Sequence, residues 1–135
     1  MDRYARRIVG WSLGPNKDAK LTMRALDNAI SNRGARAGLM FHTDRGIEYA
    51  AYDFRTRLAA LGIAQSMNRP GKPTDNVHME SFFHSMKSDV IHAVSFGNER
   101  ELRSVVCRYV DFYNRRRLHS ALGYRSPVDY ERRAA

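Results

Sequence analysis

Apolar residues fall along this chain in two rhythms. Short β-branched or aromatic runs end at turn formers: Ile8-Val9-Gly10-Trp11-Ser12-Leu13 before Gly14-Pro15-Asn16, and Gly38-Leu39-Met40-Phe41-His42 before Asp44-Arg45-Gly46. Such runs predict strands. Between them Leu21, Ala25, Leu26, Ala29 and Ile30 recur at helical spacing, with Asp18 as N-cap and Gly34 as stop. A helix is expected over residues 50–61, closing at Gly62, with Ile63 to Met67 returning as an edge strand.

Asn68-Arg69-Pro70-Gly71-Lys72-Pro73-Thr74 carries turn formers and positive charge and predicts a mobile basic loop. Asp75 then caps an expected helix running to about Val90. Asn98 and Glu101 have capping-box spacing ahead of the stripe Leu102, Val105, Val106, Tyr109, Val110 and Tyr113, the strongest periodic signal present. From Asn114 onward regularity is expected to fade into a basic, aromatic tail. Strands alternating with helices predict an α/β layer.

Composition adds a partner. The 135 residues suit one compact domain, and 23 Lys and Arg against 14 Asp and Glu give a net charge of +9, which favours an anionic ligand. Residues 100–135 hold nine Arg against four acids. Arg pairs with phosphate and stacks on bases, so Arg115, Arg116 and Arg117 beside Tyr113 and Tyr124 read as a nucleic-acid surface; a solvated basic helix end is the plainer alternative. A lone cysteine, Cys107, excludes an internal disulfide and favours a reducing, cytoplasmic compartment. No apolar run approaches the length of a membrane span or a signal core. No Walker loop, dinucleotide fingerprint, zinc spacing or nucleophile motif is present.

Candidate chemistry centres on Asp44 and Glu80, with 35 residues between them. A carboxylate at a strand's carboxyl end and another on a helix can converge on one magnesium ion, a hard cation that takes one or two carboxylates together with substrate phosphate. Asn76, His84 and Lys87 lie four before, four after and seven after Glu80, placing them on its helical face, where Lys87 suits a phosphate. Each feature also has an ordinary reading: Thr-Asp-Arg-Gly as a plain turn, and the Glu80 face as a solvated one.

These residues resemble a family, the catalytic core of bacterial insertion-sequence transposases related to retroviral integrases. The resemblance runs through Arg6-Arg7-Ile8-Val9-Gly10-Trp11, Phe41-His42-Thr43-Asp44-Arg45-Gly46 with Tyr49, Gln65-Ser66-Met67, Gly71-Lys72-Pro73, Asp75-Asn76, Glu80-Ser81-Phe82-Phe83, Lys87, Tyr113-Asn114, Arg117-Leu118-His119-Ser120-Ala121-Leu122-Gly123-Tyr124 and Ser126-Pro127. It departs at Thr43, Glu48 and Val77, where serine, glutamine and alanine are usual.

The resemblance implies a ribonuclease-H-like integrase core, a mixed sheet flanked by helices, acting in metal-dependent DNA strand transfer with Mg2+ or Mn2+. Asp44 and Glu80 match the second and third members of the family's acidic triad, and Lys87 a DNA-contacting position. The first triad aspartate belongs to an earlier strand than the segment Asp2 to Trp11 resembles, so the chain is expected to lack that first strand. It is divided here into a core over 1–113 and a basic tail over 114–135. Partners implied are transposon-end and target DNA, with a homo-oligomer or a full-length transposase, near the nucleoid. Two other readings stand beside it: a catalytically incomplete DNA-binding remnant, and a stand-alone ribonuclease.

Overall fold

The computed structural model describes residues 1–92 and 94–134. They form two compact units, Val9–Val77 and Met1–Ile8 with His78–Ala135. The first is called the strand unit below and the second the helix unit.

In the strand unit, α1 spans Ala19–Arg33, with the Asp18 carboxylate accepting the Leu21 N–H at 2.8 Å and the Gly34 N–H returning to the Ile30 carbonyl. Capping and stop match the sequence expectation. β1 (Met40–Thr43) and β2 (Ala64–Met67) pair in parallel, His42 opposite Ser66 and Thr43 opposite Met67. A parallel pair needs a long crossover. Here α2 (Ile47–Ala50) and α3 (Tyr52–Ala60) supply it. Phe54, Leu58, Leu26 and Ile63 make the buried centre, with Phe41 and Tyr49 both edge-on against Phe54 at 5.6 and 5.5 Å.

The strand expected at Ile8 to Leu13 is not formed, so the sheet among the described residues is two parallel strands rather than a mixed one. The reason is a competing partner. The Val9 and Trp11 carbonyls accept amide N–H groups from Asn32 and Asn28 of α1, each at 3.0 Å, in place of a ladder. Gly10 permits this approach, because a Cβ there would lie 2.5 Å from the Ala25 carbonyl oxygen and the Ala29 nitrogen.

The segment expected to be a mobile loop is anchored. Asp75 does not cap a helix; it sits in a 3-10 turn, Pro73–Asn76, and accepts the Arg69 backbone N–H and two guanidinium N–H groups at 2.9–3.1 Å. Those bonds, with the guanidinium charge, hold the Asp75 carboxyl well below the usual carboxylate range.

In the helix unit, α4 runs Val77–Met86 and continues as a π-helical turn, Lys87–Ile91, in which the His92 N–H reaches back to the Lys87 carbonyl. α5 spans Glu99–Arg115, opened by the expected Asn98–Glu101 box: the Asn98 side chain accepts the Glu101 N–H at 3.0 Å and Glu101 accepts the Gly97 N–H at 2.9 Å. Its stripe buries Val106, Tyr109, Val110 and Tyr113. Phe82 of α4 meets Tyr113 edge-on at 4.9 Å and Tyr109 at 6.1 Å.

The expected irregular tail is folded. After a 3-10 turn at Ser120–Leu122, α6 covers Pro127–Ala134, where the buried Ser126 hydroxyl accepts the Asp129 N–H and donates to the Asp129 carboxylate. The chain start is tied to it: Arg7 pairs with Glu131, Tyr4 lies 5.2 Å from Tyr130, and the Asn114 amide bonds both the N–H and the carbonyl of Ile8. No described helix is long and apolar enough to cross a membrane.

Candidate nucleic-acid site

Asp44 follows β1 directly and stands exposed at its carboxyl end. Its carboxylate accepts the Gly46 N–H at 2.9 Å, an Asx turn of the kind the sequence Asp-Arg-Gly favours, and it forms no ion pair among the described residues. Gly46, at φ −58, is not needed for dihedral freedom, and what an added side chain would meet is the end of a glutamate side chain rather than backbone. A Cβ there would lie 2.7 Å from the Glu48 carboxylate, which is buried and pairs with Lys17 at 3.2 Å.

A polar fastening that sequence reasoning did not find holds this strand end. Asn68, just past β2, is buried; its N–H donates to the Thr43 carbonyl, its carbonyl accepts Arg45 Nε at 3.0 Å, and its side-chain oxygen lies 2.8 Å from His42 Nε2. With Nε2–H donating to Asn68, His42 Nδ1 is left to accept the Ser66 hydroxyl at 3.0 Å. Four of these residues, His42, Thr43, Arg45 and Ser66, were visible only as parts of a motif. The signal that unites them is strand register, which places His42 opposite Ser66 and two short of Asn68 on the same face. Tyr49 lies close enough to feel the site: burial first, then the Asp44 and Glu48 charges, push its phenol upward.

Glu80 is exposed on α4, in the first turn, and it too forms no ion pair among the described residues. His84 follows one turn on and Lys87 opens the π turn, both exposed. Asn76 does not share that helix: it closes the 3-10 turn of the strand unit. Asp44 and Glu80 lie in different units, and no group of three or more His, Cys, Asp or Glu able to hold a metal occurs among the described residues. The donors themselves fit a hard cation, since each offers carboxylate oxygens not taken by a basic side chain among the described residues.

The three tail arginines are not equivalent. Arg117 is drawn into the fold, its guanidinium donating to Asp89 at 2.7 Å, Tyr109 at 3.2 Å and Ser85 at 3.2 Å. The Tyr109 hydroxyl donates to Asp89 in turn, and burial together with that bond pushes its phenol up to about 12. Arg115 makes an exposed i,i+4 pair with Asp111, and Arg116 is exposed with no acidic partner among the described residues. Tyr113, expected beside them as a stacking surface, is instead buried against Phe82 and His119.

A parallel strand pair with a helical crossover and helices around it is a ribonuclease-H-like arrangement, and this chain belongs to the integrase core domain family. That family matches over residues 1–73 and again over 61–127. Two of the relatives it matches are named transposases. The chain is 35% identical to a transposase for insertion sequence element IS904 of Lactococcus lactis, over 98% of this chain and 53% of that protein. It is 36% identical to transposase InsF for insertion sequence IS3A of Escherichia coli, over 97% and 46% respectively. The chain thus spans about half the length of the curated relatives it matches. Among solved structures, a chain of a simian T-cell lymphotropic virus intasome bound to a PP2A regulatory subunit superposes with a TM-score of 0.71 at 17% identity, over 84% of this chain and 40% of that one. That likeness is one of fold.

Proposed function

We propose that this chain is the integrase-core portion of an insertion-sequence transposase, acting in DNA strand transfer during transposition, with Asp44 and Glu80 as ligands of a magnesium or manganese ion. The observation that carries the reading is Asp44 itself, a carboxylate without an ion pair among the described residues, at the carboxyl end of a parallel strand, where α/β sheets place their ligands. Support for Glu80 comes from its motif and its 35-residue spacing. A bound divalent ion would supply charge neutralisation at the phosphate and a more acidic attacking hydroxyl or water. The protein's own part is positional: the Asx turn and the Asn68 fastening fix Asp44, while α4 carries Glu80 and the π turn that continues it carries Lys87.

Lys87, Asn76, Arg115 and Arg116 are assigned to phosphate contacts, with Arg117 acting as a buttress for the segment that carries its neighbours. Partners on this reading are transposon-end and target DNA and a second copy or a full-length transposase, in the bacterial cytoplasm. The test is strand joining and nicking of duplex DNA with Mg2+ or Mn2+, alongside Asp44→Asn and Glu80→Gln. Any metal-dependent joining the chain supports is lost in both variants, and DNA affinity falls steeply as salt rises because neutralised phosphates release counterions. Affinity indifferent to salt defeats the reading. Salt-sensitive binding without any joining favours the DNA-binding remnant instead.

A further inference from the structure

Residues 115–125 read Arg-Arg-Arg-Leu-His-Ser-Ala-Leu-Gly-Tyr-Arg, four arginines with no acid. Beyond α5 the backbone closes into a compact turn: the His119 N–H donates to the Arg125 carbonyl at 3.1 Å, and the Leu122 and Tyr124 N–H groups both donate to the His119 carbonyl at 2.9 Å. Leu122 is buried inside it, and His119 packs on Tyr113 at 4.9 Å. Two large side chains do the opposite. Leu118 is 63% exposed and Tyr124 is 73% exposed.

Tyr124 is also held at φ 56, in the left-handed region, directly after Gly123 at φ 64. Gly123 is a residue type suited to that conformation; a tyrosine there costs about 1–2 kcal/mol. An aromatic ring kept outward at such a cost stabilises little within its own fold, and strain of this kind concentrates at binding sites. The surrounding charge selects the partner. In sequence Arg116 lies just before Leu118 and Arg125 just after Tyr124, and neither has an acidic partner among the described residues, so groups suited to phosphate flank the exposed ring and aliphatic side chain along the chain. A ring can stack on a base only where the base face is free, which a paired duplex interior denies and a single-stranded end provides.

We propose that the turn Leu118–Arg125 binds an unpaired nucleotide at a DNA end, with the Tyr124 ring stacked on the base beside Leu118 and with Arg116 and Arg125 on the flanking phosphates. This rests on the DNA-acting reading above and adds a site to it. The test uses the whole chain with two duplexes of one sequence, one blunt and one bearing a short single-stranded overhang that contains 2-aminopurine. Wild type is expected to bind the overhang about tenfold more tightly than the blunt duplex and to quench the 2-aminopurine. Tyr124→Asn, which tolerates the left-handed backbone, loses preference and quenching while keeping blunt-duplex affinity and a thermal midpoint no lower than wild type. Tyr124→Phe retains both.

Overhang preference unchanged in Tyr124→Asn overturns the site while leaving the DNA-acting reading intact. Sedimentation showing that Tyr124→Asn dissociates an oligomer while the preference survives also overturns it, in favour of a self-association surface. Failure of wild type to bind either duplex removes the DNA-acting reading, and this site with it.

Discussion

The two carboxylates proposed as metal ligands are held in place by different physics. Asp44 hangs on directional bonds: its own turn, and the Asn68 fastening of one strand end to the other. Glu80 projects from α4, whose backbone satisfies itself and whose position is set by Phe82, about 200° round the helix, buried on Tyr109 and Tyr113. A polar fastening fails when one partner is deleted, because the other is left desolvated and unbonded. An apolar contact fails in proportion to the volume removed. The strand unit should therefore be sensitive to single polar deletions that the helix face bearing Glu80 would not feel.

The largest effects test whether the two regions fail separately. Phe54→Ala and Phe82→Ala should each cost about 3–5 kcal/mol, as truncation of a buried phenylalanine does. Amide hydrogen exchange should then show protection lost in Val9–Val77 for the first and in His78–Ala135 for the second. Equal loss in both regions from either variant would mean a single cooperative unit, with no separate failure of the two regions.

Smaller and more specific are the polar deletions. Asn68→Ala leaves the His42 Nε2–H without its acceptor and should cost about 1–3 kcal/mol in urea unfolding. Arg117→Ala removes the contacts to Asp89, Tyr109 and Ser85, at about 1–2 kcal/mol, since its side chain is partly solvated. Arg116→Ala should stay within about 0.5 kcal/mol of wild type. On duplex DNA the order of the two arginines reverses: Arg116→Ala should flatten the salt dependence by about 0.9 in logarithmic slope, one phosphate contact. An Arg117 loss larger than the Arg116 loss in that slope, at equal stability, would make Arg117 the DNA contact.

Much of this architecture is legible from local signals. Asp18, Gly34 and the Asn98–Glu101 box announce α1 and α5 because caps act within one turn of chain. Asp44 and Gly46 announce a turn for the same reason. What the sequence conceals is long-range choice. Nothing local says that Ile8 to Leu13 takes its bonds from Asn28 and Asn32 rather than from a strand, or that Asp75 serves Arg69 rather than a helix end. Ser126-Pro127 with Asp129 did carry a cap signal for α6, hidden by the surrounding arginines. Among Arg115, Arg116 and Arg117, composition cannot tell buttress from free cation, because the deciding partner, Asp89, lies 28 residues away.

The smallest expected effect separates the regions by acid. In the helix unit, burial, followed by arginine charges from Arg6 and Arg3 at His78 and from Arg117 and Arg6 at His119, pulls both imidazoles below their ordinary 6.5. The unfolded chain then binds more protons than the folded one near and below that pH, so the stability tied to neutral imidazole is complete above about pH 6.5 and drains as pH falls through it. In the strand unit the shifted acid is Asp75, depressed from 3.8, so its contribution persists until pH drops below about 4. Urea unfolding followed by amide NMR signals from each region, at pH 7.5 and again at pH 5.5, should show the midpoint falling for His78–Ala135 and holding for Val9–Val77. His119→Gln should reduce the first shift. Because His78 is largely solvated, the residual shift in that variant should be slight, and a residual as large as wild type would place the acid sensitivity elsewhere than on these two rings.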